Sequence, residues 1–236
     1  GLILAVSSVA NAGLIYTQSH QGGYTDNSLG GSNWTIFTDM LNAQHSYVEG
    51  ADFSNLATLL AYDAIWVDQE LGNSLNGAEI SALSSYLSNG GQVVLMGENS
   101  SWAGWNSSIL SIVAGSSVDG CSFDVGSVIA NNTLTSGASS VGNVCGNTLT
   151  SAGSPTMLFD NNLAGLFTVG AGSALALMDS NFLDNKYIAS NDNMMFAQNI
   201  VNWLDEESVD VPEPSTLAIF ALGMIGLTSR RFKKKS

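Results

Sequence analysis

The sequence predicts an α/β domain built on a mainly parallel sheet. Three observations carry this. Tyr62-Asp63-Ala64-Ile65-Trp66-Val67 and Gln92-Val93-Val94-Leu95-Met96 are short apolar runs of strand length. Between them Ile80, Leu83 and Leu87 make one apolar stripe at helical spacing, opened by an Asn76/Glu79 capping box and closed by Asn89-Gly90-Gly91. Strand, helix and strand joined by short connections form a βαβ unit, which calls for a parallel pair and a right-handed crossover. Finally, the same alternation continues on either side of this unit.

In chain order, Gly1 to Ala12 reads as the back half of a secretory signal peptide, ending in the small-x-small pattern Ala10-Asn11-Ala12. The charged region that opens such a peptide is missing, so a truncated start is expected. A first strand over Leu2 to Val6 is the alternative. The exported body then runs over 13–207. Gly13 to Thr17 is a strand, and a Gly- and Ser-rich loop follows to Ser32. Trp34, Phe37 and Leu41 recur at helical spacing after Ser32 and Asn33 as caps. A short strand Ser46 to Val48 and a brief helix at Leu56, Leu59 and Leu60 lead into the βαβ unit.

Beyond Ser100 the pattern loosens. Trp102, Trp105, Ile109 and Ile112 line a helix, and an insertion of short strands and loops occupies about 115–155. Cys121 and Cys145, the only cysteines, fall inside it. In an oxidising compartment they pair, and the chain-entropy model gives such a bridge roughly 3 kcal/mol. Ala174 to Met178 is a buried strand ending at Asp179. Asn191 or Asp192 caps a last helix that aligns Phe196, Ile200 and Leu204.

Hydrophobic residues make up 45% of the chain, enough for a core, while charged residues are only 11%, against a usual ~25%. The formal net charge is -14, and of six Lys and Arg only Lys186 lies in the body. Nothing there can neutralise phosphates, so nucleic acid is excluded as a partner.

The remaining basic residues close the C-terminal segment 208–236. It has three parts: the box Pro212, Glu213, Pro214, Ser215, Thr216; an apolar stretch over 217–228; and a basic end over 230–235. The prolines keep the box extended. The apolar stretch is membrane-seeking but shorter than the roughly 20 residues of a usual span, and the cations favour the cytoplasmic side. A buried terminal helix is the alternative. This segment resembles the PEP-CTERM sorting signal of Gram-negative bacteria. The resemblance implies an exosortase, a membrane-embedded sorting transpeptidase, as partner. It also implies transient anchoring in the inner membrane, then a place at the cell surface or in a matrix of exopolysaccharide and biofilm.

The phrases YDAIWVD, EISALSSYLSNGGQVVLMGE and DNMMFAQNIVNWL resemble the flavodoxin-like domains related to class I glutamine amidotransferases. That implies helices on both faces of the sheet. The enzymes place a nucleophilic Cys at the turn after the strand that here is Val93 to Met96. This chain has Gly97-Glu98-Asn99 there. His20 and His45 are the only imidazoles, and neither occupies a triad position. No G-x-S-x-G elbow, zinc spacing or EF-hand loop is present. Gly30-Gly31 lacks the rest of a phosphate-binding pattern. The expectation is therefore a domain without a nucleophile, metal or cofactor, and not an enzyme.

Open α/β sheets bind ligands beyond the C-terminal ends of their strands. Glu98, Asp68, Glu70 and Asp179 all follow expected strands and form the candidate rim. The leading expectation is an exosortase-sorted envelope or matrix protein with a non-catalytic domain that meets extracellular polysaccharide. The rivals are a carboxylate-dependent hydrolase or glycan-active enzyme, and a small-ligand or calcium-binding module. Convergence of the four carboxylates in a pocket would favour the enzyme.

Overall fold

The computed structural model describes residues 13–18, 26–70 and 72–205. The signal-peptide segment, His20 and the sorting segment lie outside the described residues. Five parallel strands form the heart of the sheet: β1 (Leu14–Gln18), β2 (Ser46–Gly50), β3 (Ala64–Val67), β4 (Gln92–Met96) and a late strand, Gly172–Leu177. Their order is β2, β1, β3, β4, then the late strand. This is the flavodoxin-like order, in which the chain reverses its direction of growth between β1 and β3.

The helices are α1 (Thr35–Asn42), α2 (Leu56–Leu59), α3 (Gly77–Ser88), α4 (Ala103–Ser111) and α5 (Asn193–Trp203). They bury two cores, one on each face. Period-2 alternation divides the strands between them. Ala64, Trp66, Val94, Met96, Leu175 and Leu177 face α1 and α5, packing with Trp34, Phe37, Phe196 and Ile200. Ile65, Val67, Val93, Leu95, Ala174 and Ala176 meet Leu83, Leu87, Trp105 and Ile109 of α3 and α4. Every residue of β3 and β4 is buried, which is why these strands read as continuous apolar runs.

The βαβ unit forms as its caps dictate. Asn76 accepts from the Ala78 and Glu79 amides at 2.9 and 3.1 Å, and Glu79 returns the bond to the Asn76 amide at 2.9 Å. Gly90 takes φ 99° just beyond the helix, a conformation that glycine adopts without strain.

Two small antiparallel sheets make up the insertion. β5 (Ser117–Ser122) pairs with a strand at Gly146–Leu149, and β6 (Val125–Ser127) pairs with β7 (Ser140–Gly142). The Gly146–Leu149 strand is β8. Cys121 and Cys145 are joined as a disulfide.

The sequence reading contained no strand between the insertion and Ala174. Two are present: β9 (Thr156–Met157) and β10 (Ala164–Val169). They extend the sheet antiparallel beyond the Gly172–Leu177 strand, now β11. A second correction concerns the start of α5. Asp192 stands at its N-cap without a side-chain capping bond. Its carboxylate accepts instead from the Ser139 and Ser140 amides, at 2.8 and 3.1 Å, and ties α5 to the insertion. Among the described residues no helix is long and apolar enough to cross a membrane.

Candidate functional site

The C-terminal ends of β3, β4 and β11 bring the four rim carboxylates to one edge of the sheet. All four are buried there, none more than 6% exposed. They do not form one cluster. Among the described residues no group of three metal-ligating side chains could hold an ion.

Asp68 is a structural anchor. It accepts from Trp66 Nε1 at 2.6 Å, from the Leu29 amide at 3.4 Å and from the Thr17 hydroxyl at 3.5 Å. Gln69 donates to the Asn27 carbonyl at 2.5 Å. The 27–29 loop therefore folds over the β1/β3 junction, where a sheet of this order usually holds its ligand. Glu70 accepts from Asn73 Nδ2 at 2.8 Å.

Glu98 and Asp179 act on each other. The register pairs Met96 with Leu177, so two residues further on both carboxylates leave the sheet at the same level. Glu98 occupies the turn where a nucleophile would stand, but that turn is not strained in the manner of an elbow: neither it nor its neighbours adopt a positive φ. Asn106 of α4 holds the turn instead. Its Oδ1 accepts from the Glu98 amide at 3.0 Å, and its Nδ2 donates to the Glu98 carbonyl at 2.6 Å. Trp105 Nε1 donates to the Met96 carbonyl at 2.8 Å. A Cβ on Gly97 would come within 2.7 Å of Met178 Cε, so glycine permits this close passage.

Burial, then the charge of Asp179, pushes Glu98 up to about 9, with the Asn99 and Ser180 amides pulling it back only in part. Glu98 Oε1 makes no hydrogen bond among the described residues. Burial also raises Asp179, to about 6, opposed by the N–H groups of Val144 and Asn181. Those two amides, with Asn181 at 2.8 Å, stabilise the charged form of Asp179. At neutral pH the pair is thus one proton on Glu98 beside one charge on Asp179. A neutral carboxyl beside a carboxylate is the state in which acid–base catalysis operates. Here neither group faces solvent, with Glu98 4% and Asp179 0% exposed.

The described imidazole stands elsewhere. His45 precedes β2 at the opposite end of the sheet, and its Nε2 lies 2.9 Å from the Val201 carbonyl.

Asn106 and Asn181 position this edge, a role the sequence reading did not give them. Asn106 carried a signal. It shares helical spacing with Trp102, Trp105 and Ile109, and a polar side chain on a buried stripe must find partners there.

With all four rim carboxylates buried, the address on the tail is the most informative part of the chain. Residues 210–234 match the PEP-CTERM protein-sorting motif. The chain carries a PEP-CTERM tail. That motif marks exported proteins and implies an exosortase as the processing partner. No curated protein sequence matches the chain. The body resembles solved structures of low identity. The mmIFT52 N-terminal domain aligns with a TM-score of 0.66 at 14% identity, over 84% of this chain and 100% of that one. A ThuA-like protein from Bacteroides uniformis gives 0.55 at 16% identity, over 86% and 95%. A GMP synthase component from Thermoplasma acidophilum gives 0.53 at 11% identity, over 87% and 98%. These likenesses speak for the flavodoxin-like fold of the body and for nothing beyond it.

Proposed function

We propose that this PEP-CTERM protein is a non-catalytic surface or matrix component of a Gram-negative bacterium. Its 217–228 stretch holds it at the inner membrane until an exosortase acts at the Pro212–Thr216 box. The body then serves a structural or adhesive role in exopolysaccharide or biofilm. The observation that carries the reading is the sorting motif at 210–234.

The burial of Glu98 and Asp179 supports the non-catalytic part, because a substrate has no approach to either carboxylate. The division of the rim weighs against the carboxylate-dependent hydrolase. Asp68 and Glu70 are engaged in their own hydrogen bonds, while the charge of Asp179 acts on Glu98.

The test is intact-mass measurement of the native protein from cells with and without the sorting enzyme. The expected result is a C-terminus shortened at the box only where the enzyme is present. An identical C-terminus in both strains would overturn the processing role.

A further inference from the structure

We propose that the insertion carries a binding site for a neutral sugar ring of an extracellular glycan. The site is an open pocket of about 290 Å³ between the insertion and the loop before α5. Ligand sites start at roughly 300 Å³, so this one accepts a single ring and leaves the rest of a polymer outside.

The walls are braced from within. Asn143 clamps the facing segment: its Oδ1 accepts from the Asp124 amide at 2.8 Å and its Nδ2 donates to Ser122 Oγ at 2.9 Å. The Cys121–Cys145 bond joins the same two segments just behind this clamp. On the other side a Cβ on Gly142 would stand 2.6 Å from Asn191 Nδ2. Glycine therefore lets the 187–191 loop close against β7. A cavity held in this way loses little freedom when it binds.

The lining matches a sugar. Phe123 is 70% exposed, an unusual cost for so large an apolar ring. An aromatic face is electron-rich and attracts the polarised C–H face of a pyranose. Tyr187 stands among the lining residues, with Lys186 Nζ 4.8 Å from the centre of its ring. Asp124 Oδ1 accepts from Asn161 Nδ2 at 3.1 Å, which leaves its other oxygen for a ligand. Ser190 and Asn191 add an exposed hydroxyl and amide. Sugar hydroxyls both donate and accept, and this set offers both in return. Charge selects the class of sugar. Asp124 in the wall and the acidic body repel anionic polymers, which leaves neutral ones.

The site deepens the adhesive reading and rests on it for an extracellular glycan, but tail processing and pocket binding are read out separately, so either can fail alone. The experiment is affinity electrophoresis of the full chain, purified in detergent, through native gels containing a neutral glucan, a galactomannan or alginate. Retardation is expected in at least one neutral polymer. Phe123→Ala should weaken that binding roughly tenfold, the scale of one lost stacking contact. Phe123→Trp should preserve it, and Asn191→Ala should weaken it independently. An unchanged thermal midpoint shows that the exposed Phe123→Ala site leaves the fold intact. Free migration through both neutral polymers, retention by alginate alone, or retardation insensitive to both alanine variants would each overturn the proposal.

Discussion

Glu98 and Asp179 emerge from neighbouring parallel strands at the same level, and the edge of the sheet accommodates one negative charge between them. Asp179 has the better claim to it. Amides reach both oxygens of its carboxylate. Those of Asn99 and Ser180 only partly offset the burial of Glu98, whose Oε1 has no hydrogen bond among the described residues. Glu98 keeps the proton.

A pH dependence of stability follows. Folding raises the Glu98 carboxyl from 4.5 to about 9, so between those values the folded state binds more protons than the unfolded one. Stability from this group is therefore fully present below pH 4.5 and is lost as pH rises toward 9, at up to about 1.4 kcal/mol per pH unit. Asp179, raised from 3.8 to about 6, adds in the same direction at lower pH. Chemical denaturation from pH 5 to 9 should show the decline. Glu98→Gln, which mimics the protonated form, should flatten it above pH 6. Parallel profiles for the two proteins would refute the assignment.

Asn106→Ala should be among the more damaging polar substitutions in the body. It strips the Glu98 amide and carbonyl of their shared partner inside a buried turn. Leaving buried backbone groups unpaired costs on the order of 2–4 kcal/mol for two of them. Denaturant midpoints at constant m-value measure this.

Reduction of the Cys121–Cys145 bond should lower stability by roughly 3 kcal/mol. The loss should be local. Hydrogen exchange is expected to quicken in β5 to β8 while β3, β4 and β11, buried in two cores, stay protected. Uniform quickening across the sheet would count against an independently braced insertion.

Gly146→Ala tests how the insertion seats on the sheet. A Cβ at 146 would meet the Met178 carbonyl and Asp179 Cβ, each at 2.7 Å. Backbone cannot yield as a side-chain tip can, so a loss of about 1–3 kcal/mol is expected. The same shift should displace the Val144 amide from Asp179 and raise the carboxyl further, which carboxyl NMR titration would reveal.

The sequence displayed the parallel heart of the fold because its signals are local. The Asn76/Glu79 box, the stripe at Leu83 and Leu87, and Gly90 each lie within one turn of what they determine. The tail was legible for the same reason, since its box, apolar stretch and cations are contiguous. β10 was hidden because Gly165 and Thr168 interrupt its apolar run, and its pairing with β11 is a hairpin-like return rather than a crossover. Three of the strands of the insertion are only three or four residues long, too short for a period to show. At the edge, residue types pointed to four carboxylates, but their fates depend on distant partners. Asp68 is engaged by Trp66 Nε1 and the 27–29 loop, while Asp179 is engaged by Val144 across the insertion. Separations of this kind leave no trace in local spacing.

Cytoplasmic thiols stay reduced, so the link between Cys121 and Cys145 belongs to the far side of the membrane. Until it closes, the segments bearing Phe123 and Val144 lack their covalent tie. On the reading proposed above, the pocket therefore receives its covalent brace only after departure from the cell that makes it. Synthesis and bracing are then separated by geography.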